Sequence, residues 1–209
     1  MKTINTYINE RLHITTKSHA YSCHPKDKWE LRDIIIQRIK EDGPECDLND
    51  IDVSKITDMQ SLFDAYINKI FKDFNGDISQ WDVSNVTDMN HMFFGCVKFN
   101  GDISRWNVSK VTNMKSIFHT CKKFNCDISK WNVSNVTTME RMFFDCKKFN
   151  CNISKWDVSN VTNMLNLFNG CKNFKQNLNS WDVSNDIYMG YAFHDCPTKP
   201  KWYDIDEWE

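Results

Sequence analysis

"WDVSNVTDMNHMFFGCVKFNGDIS", residues 81–104, returns at residues 106–129 as "WNVSKVTNMKSIFHTCKKFNCDIS". Both follow W-x-V-S-x-V-T-x-M-x-x-x-F-x-x-C-x-K-F-N-x-[DN]-I-S, and the phrase goes on repeating. Trp81, Trp106, Trp131, Trp156 and Trp181 are each 25 residues apart. So are Phe93, Phe118, Phe143, Phe168 and Phe193, and likewise Met89 to Met189 and Cys96 to Cys196. Phe99, Phe124, Phe149 and Phe174 form a further column, as do Ile78, Ile103, Ile128, Ile153 and Leu178. A degenerate earlier copy places Leu48 and Ile51 in the Ile and Trp columns and carries five extra residues within "DAYINKIFKDFNGD".

A unit this short cannot bury its apolar face alone, so the period means that neighbours stack and each column becomes an internal ladder. The expectation is an α/β repeat solenoid, a leucine-rich-repeat-like stack of about six coils over residues 47–200. Each coil is read as a short parallel strand at "DIS", with Ile103 inward, followed by a short helix. Val111, Met114, Ile117, Phe118 and Cys121 have helix-like spacing, and Thr112 or Ser109 is placed to cap it. Residues 1–46 read as a helical N-terminal cap. Ile4, Tyr7, Ile8 and Leu12 mark one helix, and a second opens near Pro25 and closes at Gly43. Its Trp29, Leu31, Ile34, Ile35 and Ile39 are expected to plug the first coil. Residues 201–209 read as an acidic tail, with Trp202 and Tyr203 folded over the last coil.

The columns resemble the BspA-like leucine-rich repeat proteins, in particular the mycoplasma-type DUF285 branch. Residues 81–104, 106–129 and 131–154 carry the motif in full. The copy from Trp156 ends in Leu178–Asn179, and the copy from Trp181 matches over its first half only. The resemblance implies a repeat array used as a binding surface, often on bacterial cells or, by analogy, virions. It implies no catalytic residue.

Bulk composition narrows the function further. The chain has 209 residues, 41% hydrophobic and 26% charged, with a formal net charge of −2, so it is no polycation for nucleic acid. No run of about 18 apolar residues marks a transmembrane helix. The first residues lack the apolar core of a secretory signal, so the sequence reads as cytoplasmic. Nine cysteines are many, but their periodic placement suits buried reduced thiols better than a disulfide framework. Cys121 and Cys126, then Cys146 and Cys151, have C-x4-C spacing, yet zinc needs four ligands converging on one point. Asp82, Asn107, Asn132, Asp157 and Asp182 could suggest calcium, but an Asx turn in every coil explains them as well. The six histidines stand singly, with no triad order. The reading is therefore not an enzyme, with no cofactor and no metal.

Charge is the signal left over. Residues 97–176 hold thirteen Lys and Arg against five Asp and Glu. Arg105, Lys130 and Lys155 form one column, and Lys123 and Lys148 another. Such columns are a solvated face, a surface for an acidic protein, or a nucleic-acid track. The last needs exposed stacking aromatics, and the aromatic columns are expected to be interior. The function read from sequence is a protein-interaction module that binds an acidic surface through these residues. The alternative is an accessory component of a larger assembly such as a phage or mobile-element particle. The sequence leaves the oligomeric state open.

Overall fold

The computed structural model describes residues 21–183, 187–204 and 206. The helix expected around Ile4–Leu12 lies outside them. The described chain begins with one helix, α1 (Lys28–Asp42), and continues as a stack of coils whose interior is the ladder of columns. Asp27 caps α1 by accepting from the N–H groups of Trp29 and Glu30, and Gly43 closes it at φ 87°. Its buried face is Leu31, Ile35 and Ile39. Trp29, expected on that face, is 62% exposed instead.

The coils are not built from a strand and a helix. Among residues 21–183 and 187–204 α1 is the single α-helix, and there is no strand or sheet. Neighbouring coils meet through isolated parallel bridges, running Asp58, Asp88, Asn113, Thr138, Asn163, Tyr188. These bridges stand just before the Met column, inside the segment expected to be helical. The α/β solenoid of leucine-rich-repeat type is thus overturned, and the backbone hydrogen bonds show why. Met114, Ser116, Phe118 and Thr120 donate to Thr138, Glu140, Met142 and Phe144 of the following coil. The N–H groups between them turn back, Ile117 to Met114, His119 to Ser116 and Cys121 to Phe118. With alternate N–H groups leaving the coil, no i to i−4 ladder can form. With the others closing four-residue β-turns, no continuous strand can form either.

The turns need a left-handed residue at fixed places. Ser61, His91, Ser116, Arg141, Asn166 and Tyr191 all have φ between 53° and 57°. A second such column holds Gly95, Thr120, Asp145, Gly170 and Asp195. That conformation costs an L-residue roughly 1–2 kcal/mol, and in every coil but the last it is held by the bond that residue's N–H makes to the next coil. Overlapping β-turns also put apolar residues at spacings of three and four, so the buried stripe mimics a helix.

The expected strand at Asp102–Ser104 is a turn. Asp102 Oδ1 accepts the Ser104 N–H at 3.0 Å, and the Trp106 N–H returns to the Ile103 carbonyl. Ile103 still points inward and is fully buried.

Side chains lock the coils together. Phe118 sits 3.8 Å, centroid to centroid, from Phe124 of its own coil and 5.8 Å from Phe93 and Phe143 of its neighbours. The five Trp of the column are each 4% exposed, and each indole donates to a carbonyl of the preceding coil. Asn75, Asn100, Asn125 and Asn150 form an outer ladder, each Oδ1 accepting a backbone N–H from the coil that follows. Trp202 extends the Trp column, stacking 6.4 Å from Trp181 and donating to the Leu178 carbonyl. Tyr203 packs edge-on against Phe193. The far end of the stack is closed by these two rings, the near end by α1.

Candidate functional site: the basic corner of the stack

The turn at Asp102–Ser104 throws the next residue outward, so the basic column stands on a corner between two Asx turns. Arg105, Lys130 and Lys155 are all exposed. Arg105 and Lys130 line one shallow depression with Asn107 and Asp127. Lys123 and Lys148 are exposed as well, but they follow the Cys column and stand on a different corner. None of the five makes an ion pair among the described residues. Lysines elsewhere do, Lys98 with Asp73 at 3.5 Å and Lys115 with Glu140 at 2.8 Å.

Acidic residues lie close to two of the five. Asp102 sits below the usual carboxylate range because Ser104 hydrogen-bonds it, with the Arg105 charge adding to the effect. Asp127 is lowered in the same way by Ser129, then by Cys151 and Lys130. Lys155 has Asn152 at the matching place. The carboxylate before the basic residue is thus present in two coils and replaced by an amide in the third, where Asp157 stands two residues beyond Lys155 instead.

The other chemistry-bearing columns are structural in their contacts. Cys96, Cys121, Cys146 and Cys171 each donate a thiol to a Phe carbonyl of an earlier coil at 2.9–3.0 Å. Burial pushes these thiols well above their ordinary pKa. Cys126 and Cys151 lie instead near Asp102 and Asp127, so the C-x4-C pairs do not converge. Among the described residues no three His, Cys, Asp or Glu side chains are grouped to hold a metal ion. Asp82, Asn107, Asn132 and Asp157 each accept the N–H two residues ahead at 3.0–3.2 Å, forming Asx turns.

One aromatic column is half-exposed, against the expectation that all are interior. Phe94, His119 and Phe144 stack along the bridge face at 4.3 and 4.6 Å, with planes 13° and 4° apart. The 25-residue spacing of two Phe and one His was legible, but their place beside the buried Phe column hid their exposure. Because the rings cover one another's faces, the column offers edges to solvent and no platform for a base.

A family model described as "Mycoplasma protein of unknown function, DUF285" matches residues 39–143 and again 104–208. The two matches cover most of the chain, and the protein belongs to this family. Neither the curated proteins nor the solved structures compared with it hold a match. No helix among the described residues is long and apolar enough to cross a membrane.

Proposed function

We propose that the chain is a non-enzymatic binding module that meets an acidic protein surface through its basic corner. The observation that carries this reading is the state of Arg105, Lys130 and Lys155, with Lys123 and Lys148 on a second corner. All five are exposed, aligned in columns on a rigid frame and without ion pairs among the described residues. Like charges a coil apart repel, because roughly 5 Å is inside the ~8 Å Debye length at physiological salt. An anionic partner would relieve that repulsion. The resemblance to BspA-like proteins supports a binding role in general and says nothing of the partner.

The test is charge reversal. Replacing Arg105, Lys130 and Lys155 together by Glu should leave the melting temperature nearly unchanged, since exposed charges contribute about 0–1 kcal/mol each. Proteins captured by the wild type in a salt-sensitive manner should be lost. Retention of the same proteins with the same salt dependence would show the corner to be a solvated face only.

A further inference from the structure

The array has one irregularity, and it builds a cleft. Bridged residues of the first two coils, Asp58 and Asp88, are 30 apart, where later coils keep 25. The extra residues form a 3-10 helix, Lys69–Asp73, capped by Asn68 and pinned by the fully buried Phe71. Ahead of it Tyr66 and Ile67 are thrown outward, 71% and 62% exposed. Between this insertion and the following coils lies a cleft of about 410 Å³.

Three lysines converge on the cleft. Lys69 and Lys72 are three residues apart on a 3-10 turn, which puts them on one side. Lys122 comes from across the cleft. None of the three has an ion pair among the described residues. One carboxylate, Asp145, shares the lining and pairs with Lys147 at 3.6 Å, and Asp73 beside the insertion pairs with Lys98 at 3.5 Å. Tyr66 and Val97 supply apolar lining. Gly95 makes room for this arrangement. At φ 77° its missing Cβ would stand 2.9 Å from Tyr66 and 3.2 Å from the Ala65 Cβ, whereas later coils place Thr120 and Asp145 in the same column.

The chemistry favours carboxylates over phosphate. Phosphate cradles use free backbone N–H groups, and here the N–H groups of Gly95, Val97 and Thr120 already donate to His119, Lys72 and Phe144. No arginine lines the cleft to give a bidentate grip. We propose that the cleft docks an acidic peptide segment of a partner protein. Its carboxylates would meet Lys69, Lys72 and Lys122, and an aliphatic or aromatic side chain would lie on Tyr66 and Val97.

The probe is a labelled peptide, Glu-Asp-Phe-Asp-Glu-Leu, titrated against the full chain by fluorescence anisotropy. Saturable binding is expected, weakened about tenfold or more when Lys69, Lys72 and Lys122 are all Glu, a loss of about 1.4 kcal/mol. Lys69→Gln, Lys72→Gln and Lys122→Gln together should also weaken it, and serve if the Glu variant fails to fold. Gly95→Asp should weaken it by displacing Tyr66, and a peptide with Ser for Phe and Leu should bind less well. The Arg105, Lys130 and Lys155 reversal should leave this binding intact, which separates the cleft from the corner. Absence of saturable binding, equal binding to the lysine variants, or displacement by millimolar inorganic phosphate would overturn the proposal. So would concentration-dependent self-association abolished by the lysine variants, which would give the cleft to a second copy.

Discussion

The indole N–H of Trp131 donates to the carbonyl of Ile103 at 3.0 Å, joining two coils across 28 residues of sequence. The same bond joins every other pair of coils in the column, at 2.9–3.2 Å. It is a second bond to a carbonyl that already accepts the Trp106 N–H within its own turn, and it fixes the ring on which the next ring stacks. Trp131 and Trp106 lie 6.5 Å apart with planes 2° apart.

Truncating that ring mid-array should be expensive. Trp131→Ala is expected to cost about 3–5 kcal/mol through lost burial and the cavity left behind. Trp202→Ala should cost less, because Trp202 is half-buried and stacks on Trp181 at the end of the column. Trp131→Phe should fall between, losing one hydrogen bond at about 0.5–1.5 kcal/mol while keeping a ring and leaving the Ile103 carbonyl its bond from the Trp106 N–H. Denaturant titrations rank the three, and equal or reversed shifts would mean the column is not core.

The nine cysteines are all free thiols in the structure. Denatured protein should therefore titrate nine thiols. In the native state only Cys23 and Cys126, the two partly exposed ones, should react readily. Burial raises the Cys126 pKa, so its reaction should still be slower than that of a model thiol and speed up toward alkaline pH. Fast native reaction of more than these two would show that the buried column opens.

His119 gives the stack a pH dependence. Burial first, then Arg141 and His91, push its imidazole from the usual 6.5 down to about 4. It is neutral when folded and takes up a proton on unfolding below its ordinary pKa. The unfolded state therefore binds more protons between the two values, and stability falls as pH drops from about 6.5 to about 4. Above that window the contribution is fully present. His119→Phe keeps the stack with Phe94 and Phe144, removes a buried unpartnered Nδ1 and abolishes this slope. The melting-temperature gap between variant and wild type should widen from pH 7 to pH 4.5. A constant gap would mean that His119 is solvated.

The period and the inward columns were legible in sequence because a buried position tolerates few residues and 25-residue spacing makes the constraint visible. The extent of α1 was close to legible through Pro25 and Gly43, with the cap itself at Asp27. Coil architecture was not. Met114, Ile117, Phe118 and Cys121 present the same three- and four-residue spacing whether their N–H groups run along a helix or alternate between coils. Only non-local bonds such as Ser116 to Glu140 distinguish the two. Exposure at the basic corner was legible from its charge. The cleft was not, because its three lysines come from an insertion and a later coil that no local pattern connects.

The central claim is that the coils stack through turns with left-handed residues, and Arg141 tests it most directly. It is half-exposed with φ 53°, in the segment whose apolar spacing suggests a helix. Arg141→Ala and Arg141→Gly lose the same contact with Glu140, so the difference between them reports the backbone alone. In a helix Gly is about 1 kcal/mol worse than Ala. In the left-handed turn the order reverses, since an L-residue there costs roughly 1–2 kcal/mol that Gly avoids. Denaturant unfolding should find Arg141→Gly more stable than Arg141→Ala by about 1 kcal/mol. Finding Arg141→Ala the more stable would contradict the turn-built stack.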